Sequence, residues 1–184
     1  MCPNQECKER AIIVGHTGQK EIIDESDGSD PWGRVLYPEF ITPAPDIIEL
    51  PTSTPKQVTK AIEAVNALYW IDPNAAGNRV RVAVEEILTT RHLPKTQIVK
   101  GERRDISLHA RIKKWEMKEP DICRKLFAIK WICNAGSHAG ELTRDGLLDA
   151  MDVLQFTLNE IYDDHKRDLE LTVSRVNKKR GPVR

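Results

Sequence analysis

The sequence predicts an all-α fold, a bundle of about five helices preceded by a short irregular and β N-terminal segment. Three observations carry this. From Val58 onward apolar residues recur at spacings of three and four, the period of a helix with one buried face. Capping residues and prolines stand where such helices would begin. Six of the eleven prolines fall within the first 51 residues, together with the run DESDGSDPWG, so the chain ahead of the helices reads as extended.

AIIVG and RVLYP, in the first fifty residues, read as small β pieces. Thr52 or Ser53 can cap the first helix, with Pro55 in its first turn and Val58, Ala61, Ile62, Val65, Leu68 and Tyr69 on its inner side. Asp72-Pro73 opens the second, lined by Val80, Val84, Ile87 and Leu88, with Arg81 and Glu85 one turn apart as an expected ion pair. His92 to Asp105 is polar and basic without a sustained period and reads as a loop. The third helix is capped at Ser107 and buries Leu108, Ile112 and Trp115. A fourth begins at Pro120, ends near Gly136 and is apolar on almost every side, which places it at the centre. Thr143 or Asp145 starts the fifth and longest, with Leu147, Met151, Leu154, Leu158 and Ile161 buried, running on to about Arg180. The expected division is an N-terminal segment over 1–50 and a helical domain over 51–184.

The 184 residues predict one domain, and 30% charged against 40% hydrophobic residues predict a modest aliphatic core. No window approaches the run of about eighteen apolar residues that spans a membrane, and MCPNQECKER lacks the apolar stretch of a signal peptide. A cytoplasmic protein with no membrane partner is expected. The zero net charge hides an asymmetry: residues 1–50 carry 4 basic and 10 acidic side chains, residues 51–184 carry 24 and 18. The basic excess concentrates in Arg91 to Lys118, with 9 basic and 3 acidic residues, and in Lys166 to Arg184, with 7 and 2. Such clusters track a phosphate backbone or form a solvated face. The residues expected to meet nucleic acid are Arg103, Arg104, Arg111, Lys113, Lys114, Lys178, Lys179 and Arg180.

In KWICNAGSHAGE, Lys130, Asn134 and His138 are spaced so that one helical face carries all three, provided Gly136 does not break the helix. A histidine moves protons at neutral pH, an amide orients a hydroxyl or phosphate, and a lysine neutralises phosphate, so these are the candidate catalytic residues. The competing reading is a helix C-terminus at which Asn134 and His138 cap free carbonyls.

LHARIKKW, LFAIKWICNAGSH and GLLDAMDVLQFTLNEIYD, in that order, resemble a bacterial domain of unknown function, number 4145, often fused to restriction-endonuclease subunits and placed in the HEPN superfamily. YPEFITPAPDIIELPTSTPKQVTKAIEAVNAL and AAGNRVRVAVEEIL resemble its proline-rich lead-in and first two helices, so the resemblance runs from the cysteine pair to about Tyr162. It implies a HEPN-like helical bundle that dimerises through the helices flanking the motif, with a cleft at the dimer axis. Active HEPN members are metal-independent ribonucleases whose signature is an arginine, often followed by a polar residue, with a histidine a little over one turn further on. The histidine handles the proton of the ribose 2′-hydroxyl or the leaving oxygen, and the arginine stabilises charge on phosphate. Asn134 and His138 match the polar position and the histidine; Cys133 stands at the arginine, where the unknown-function family usually has glycine. Lys130 is the substitute cation, without the fork that a guanidinium offers phosphate.

Cys2 and Cys7 resemble the second knuckle of a zinc ribbon that often precedes this domain. With only His16 as a further ligand they do not close a tetrahedron, so either the first knuckle has been lost, a second chain supplies ligands, or the pair is a remnant; the remnant is the favoured reading, with no cofactor expected. Cys123 and Cys133 read as small core or interface residues, and Trp70, Trp115 and Trp131 as core, with Trp131 open to a role in a dimer seam.

The expected function is that of a HEPN-like domain of a prokaryotic defence or restriction-type system, a homodimer that contacts RNA with weak or no ribonuclease activity and works beside a partner protein. The competing class is a non-catalytic dimerisation or protein-interaction module.

Overall fold

The computed structural model describes residues 10–21, 32–138 and 142–182, the side chains at 135–138 and 164–167 excepted. It corrects the expected fold class. The described residues form a mixed, helix-rich structure with six helices and two separate two-stranded antiparallel sheets, where an all-α bundle of about five helices was expected. None of these helices is long and apolar enough to cross a membrane.

The first sheet joins β1 (Ile12–Glu21) to β2 (Trp32–Thr42), in register from Ile12 opposite Thr42 to Glu21 opposite Trp32. Its register shifts between Val14 and Gly15, where a Cβ on Gly15 would stand 2.1 Å from the Tyr37 carbonyl oxygen, so only glycine fits that crossing. The apolar pieces AIIVG and RVLYP are thus parts of one long hairpin. Neither piece alternates cleanly between apolar and polar residues, which hid their length.

The helices begin with α1 (Lys56–Tyr69), led in by Pro55, and α2 (Pro73–Thr90), whose N-cap Asp72 accepts from the Ala75 amide at 2.9 Å. α2 sits at the centre, packed on α1, α4 (Pro120–His138) and α5 (Arg144–Tyr162), and its Val80, Ala83, Val84, Ile87 and Leu88 are fully buried. Opposite them stand Ile62 and Val65 of α1, Leu126 and Ile129 of α4, and Leu147, Met151 and Leu154 of α5. Truncating any of the larger ones to alanine costs about 2–5 kcal/mol by this count of buried methylenes.

Two further corrections lie between α2 and the C-terminus. The segment expected as a loop contains β3 (Thr96–Val99) and β4 (Glu102–Asp105), joined by Lys100 and Gly101 at φ 52° and 81°. Two successive positive φ values make the turn that suits hairpin twist, and the Ile106 amide extends the ladder to the Lys95 carbonyl at 2.9 Å. The strands carry little apolar alternation, so the turn rather than the pattern sets them.

The helix expected to run to about Arg180 is two helices, α5 and α6 (Asp164–Lys179), broken at Asp163. Arg91 donates to the Ile161 carbonyl at 2.8 Å and the Ser53 hydroxyl donates to the Tyr162 carbonyl, so oxygens that would accept from the next turn are already taken. α3 (Leu108–Trp115), capped by Ser107, completes the set.

Candidate nucleic-acid interface

α4 is helical through His138, two residues past the glycine at which it was expected to end. Helical spacing therefore holds from Lys130 through Asn134 to position 138, and Asn134 stands inside the helix rather than at its cap. Lys130 is only 8% exposed, and its Nζ lies 3.7 Å from the ring centroid of Trp131, so the ammonium is spent on that indole face. Asn134 is half-buried. The side chain of His138 lies outside the described residues.

Cys133 faces inward toward α2. It is 4% exposed, and burial pushes its thiol up to about 11, against the opposing pull of Arg81. Gly77, one turn before Arg81, leaves room for Leu142: a Cβ there would lie 2.5 Å from the Leu142 side chain and at an ordinary 3.9 Å from Cys133 Cβ. Asn74, a turn earlier again, accepts from the Leu142 amide at 3.0 Å and ties the start of α2 to the start of α5. Arg81 makes no ion pair with Glu85 among the described residues, correcting that expectation. Its charge acts on Cys133, and its buried Nε has no hydrogen-bond partner among the described residues. The cation that sequence reasoning sought at Lys130 thus has a neighbour on α2, which only the packing reveals.

The basic residues sort into three groups. Arg103 and Arg104 stand exposed on β4, where Arg103 Nε donates to Thr96 Oγ1 at 3.0 Å and Arg104 pairs with Glu102 at 3.0 Å. Lys113 and Lys114 are exposed on α3; Lys113 pairs with Glu116, and Lys114 Nζ donates to Gln97 Oε1 at 3.2 Å, fastening α3 to the hairpin. Successive strand residues point to opposite faces, so Arg104 lies on the side of Gln97 and Lys114, and Arg103, beside Thr96, lies on the other. Lys178, Lys179 and Arg180 are exposed at the end of α6 and its last turn.

Arg111 does not belong to the surface at all. It is 3% exposed, and its terminal nitrogens donate to the Glu85 carbonyl at 3.2 Å, Thr89 Oγ1 at 3.0 Å and the Leu93 carbonyl at 3.1 Å. Burial lowers its pKa, and Glu85 and Glu86 oppose the shift.

Sequence reasoning missed a ring cluster. Trp131, expected in the core, is 57% exposed, and with Phe127 of α4 it meets His109 of α3. The signal was present as the spacing of 127, 131, 134 and 138 along one helical face. Cys123 and Cys133 are buried free thiols, the former also pushed up to about 11 by burial. Cys2 and Cys7 lie outside the described residues, among which no group of three metal-binding side chains occurs.

A family model described as Domain of unknown function (DUF4145) matches residues 63–179, from within α1 to the end of α6. No curated protein and no solved structure matches the chain.

Proposed function

We propose that the chain, which belongs to the DUF4145 family of domains of unknown function, is a member of the HEPN superfamily that contacts RNA in a prokaryotic defence or restriction-type system, as a homodimer with weak or no ribonuclease activity. The observation that carries the reading is the cluster of exposed cations on the β3–β4 hairpin and α3, in which the Lys114–Gln97 bond sets Lys114 on the side of the hairpin that bears Arg104. α3 also packs on α4, the helix that bears Asn134 and His138. Phosphates along an RNA strand would neutralise that cluster, while the amide of Asn134 would orient a phosphate or ribose hydroxyl.

Catalysis is weak or absent in this reading because the charge-stabilising position is poorly filled. Cys133 is a buried neutral thiol at neutral pH, and the ammonium of Lys130 rests on Trp131. Histidine alone would supply proton transfer without the cation that makes phosphate attack rapid. The test is incubation of labelled RNA in chelator with the wild type, His138→Ala and Lys130→Ala. Binding with the RNA left intact is expected. Chelator-resistant cleavage that disappears in His138→Ala would overturn the weak-or-no-catalysis part, and absence of RNA binding would overturn the reading.

A second reading, a non-catalytic interaction module, draws on α6. Leu169, Val173 and Val176 recur at spacings of four and three and are all exposed, as a helix awaiting a partner would show.

A further inference from the structure

Three rings from two helices meet at the surface, His109 and Trp131 exposed and Phe127 half-buried against the core. The His109 ring centroid lies 5.0 Å from that of Phe127 and 6.2 Å from that of Trp131, with the planes tilted by 47° and 59°. An indole as exposed as that of Trp131 is not explained by core packing. Lys130, otherwise buried, lays its ammonium against the same ring, which holds the indole in place and adds positive charge beside it. Arg124 precedes Phe127 by one turn of α4, and Lys113 follows His109 by one turn of α3, both exposed. Beyond the rings, the face that carries 127 and 131 continues to positions 134 and 138.

We propose that His109, Phe127 and Trp131 form a base-stacking platform for single-stranded RNA, which leads the strand along α4 toward Asn134 and position 138. The inference rests on the RNA-contacting reading and adds to it the strandedness of the ligand and the place where its bases sit. Every base has a π face, so exposed rings flanked by cations hold a strand without reading its sequence. A duplex hides those faces within its own stack, so the platform discriminates by strandedness. The flanking charges favour RNA over a second copy of this chain. Across a two-fold axis the exposed Arg124 and Lys113 would be brought toward their own copies, whereas phosphates neutralise them.

The test compares a short labelled oligoadenylate with an abasic ribose-phosphate chain of the same length, using the full-length wild type, Trp131→Ala and His109→Ala, with folding verified by circular dichroism. Both altered side chains are exposed, so the variants are expected to fold. The wild type should bind the oligoadenylate about tenfold or more tighter than the abasic chain. Trp131→Ala should lose about tenfold on the oligoadenylate and nothing on the abasic chain. Equal oligoadenylate affinity in the wild type and Trp131→Ala would overturn the platform and leave the basic cluster as the contact. Failure of the wild type to bind either strand would remove both. If light scattering showed Trp131→Ala dissociating a dimer while RNA affinity held, the rings would be a seam between copies and the proposal would fall.

Discussion

The guanidinium of Arg111 donates to the Leu93 carbonyl at 3.1 Å, pinning the chain between α2 and β3 against α3. The same group satisfies Glu85 and Thr89 on α2, so one buried cation fixes how the basic hairpin leaves the core. Arg111→Ala takes a donor from each of these part-buried acceptors, of which the Glu85 carbonyl keeps its bond from the Thr89 hydroxyl, and is expected to cost about 3 kcal/mol of stability in urea unfolding. Arg111→Lys should recover little, because one ammonium does not span three acceptors fixed for a fork. RNA affinity of the folded fraction should be unchanged; a surface role would show the reverse, with stability kept and affinity lost.

The buried thiol of Cys133 gives a pH dependence. Its folded value of about 11 lies above the ordinary 9.0, so the unfolded chain ionises first. Stability is therefore unaffected below pH 9.0 and declines as pH rises toward about 11, by about 1.4 kcal/mol per unit for this thiol. Cys133→Ala should flatten that decline relative to the wild type between pH 9 and 11. Parallel slopes would mean that the thiol is not held protonated.

Gly77 makes room for the Leu142 side chain beside α2. Gly77→Ala should stay within about 1 kcal/mol of the wild type, because the clash is with the far end of the Leu142 side chain and alanine is the better helix former. Gly77→Leu should cost about 1–3 kcal/mol, since a larger group meets Cys133 and parts the helices. Thermal unfolding of both variants distinguishes this from a surface glycine, at which either change would stabilise.

The helices were legible in the sequence where burial imposes a period and a polar side chain caps the start, as at Asp72, Ser107 and Thr143. What escaped was decided by contacts distant in sequence or by turns. β3 and β4 follow from Lys100 and Gly101 rather than from apolar alternation, and the break at Asp163 from Arg91 and Ser53 reaching α5 carbonyls. At the site, the line of Lys130, Asn134 and His138 was readable from spacing alone. The burial of Arg111 and the approach of Arg81 to Cys133 were not, because a charged residue shows its partners only after folding.

Lys130 offers a sharper test of its role. If its ammonium serves mainly to hold Trp131, Lys130→Met should preserve much of the packing yet loosen the indole, seen as a changed Trp131 environment by fluorescence against the Trp131→Ala background. RNA affinity should fall by less than about tenfold. A complete loss of binding with the Trp131 signal unchanged would instead make Lys130 a direct phosphate ligand.

The central claim is that RNA is held by the charge of the β3–β4 hairpin and α3, and the salt dependence of binding tests it most directly. For the wild type, the logarithm of the dissociation constant of single-stranded RNA should rise linearly with the logarithm of salt, by about 0.7 for each phosphate contacted. Replacing Arg103, Arg104, Lys113 and Lys114 by glutamine should lower that slope by about 2 to 3 and weaken binding to every sequence alike. A slope near zero in the wild type, or one unchanged by the four substitutions, would contradict the account.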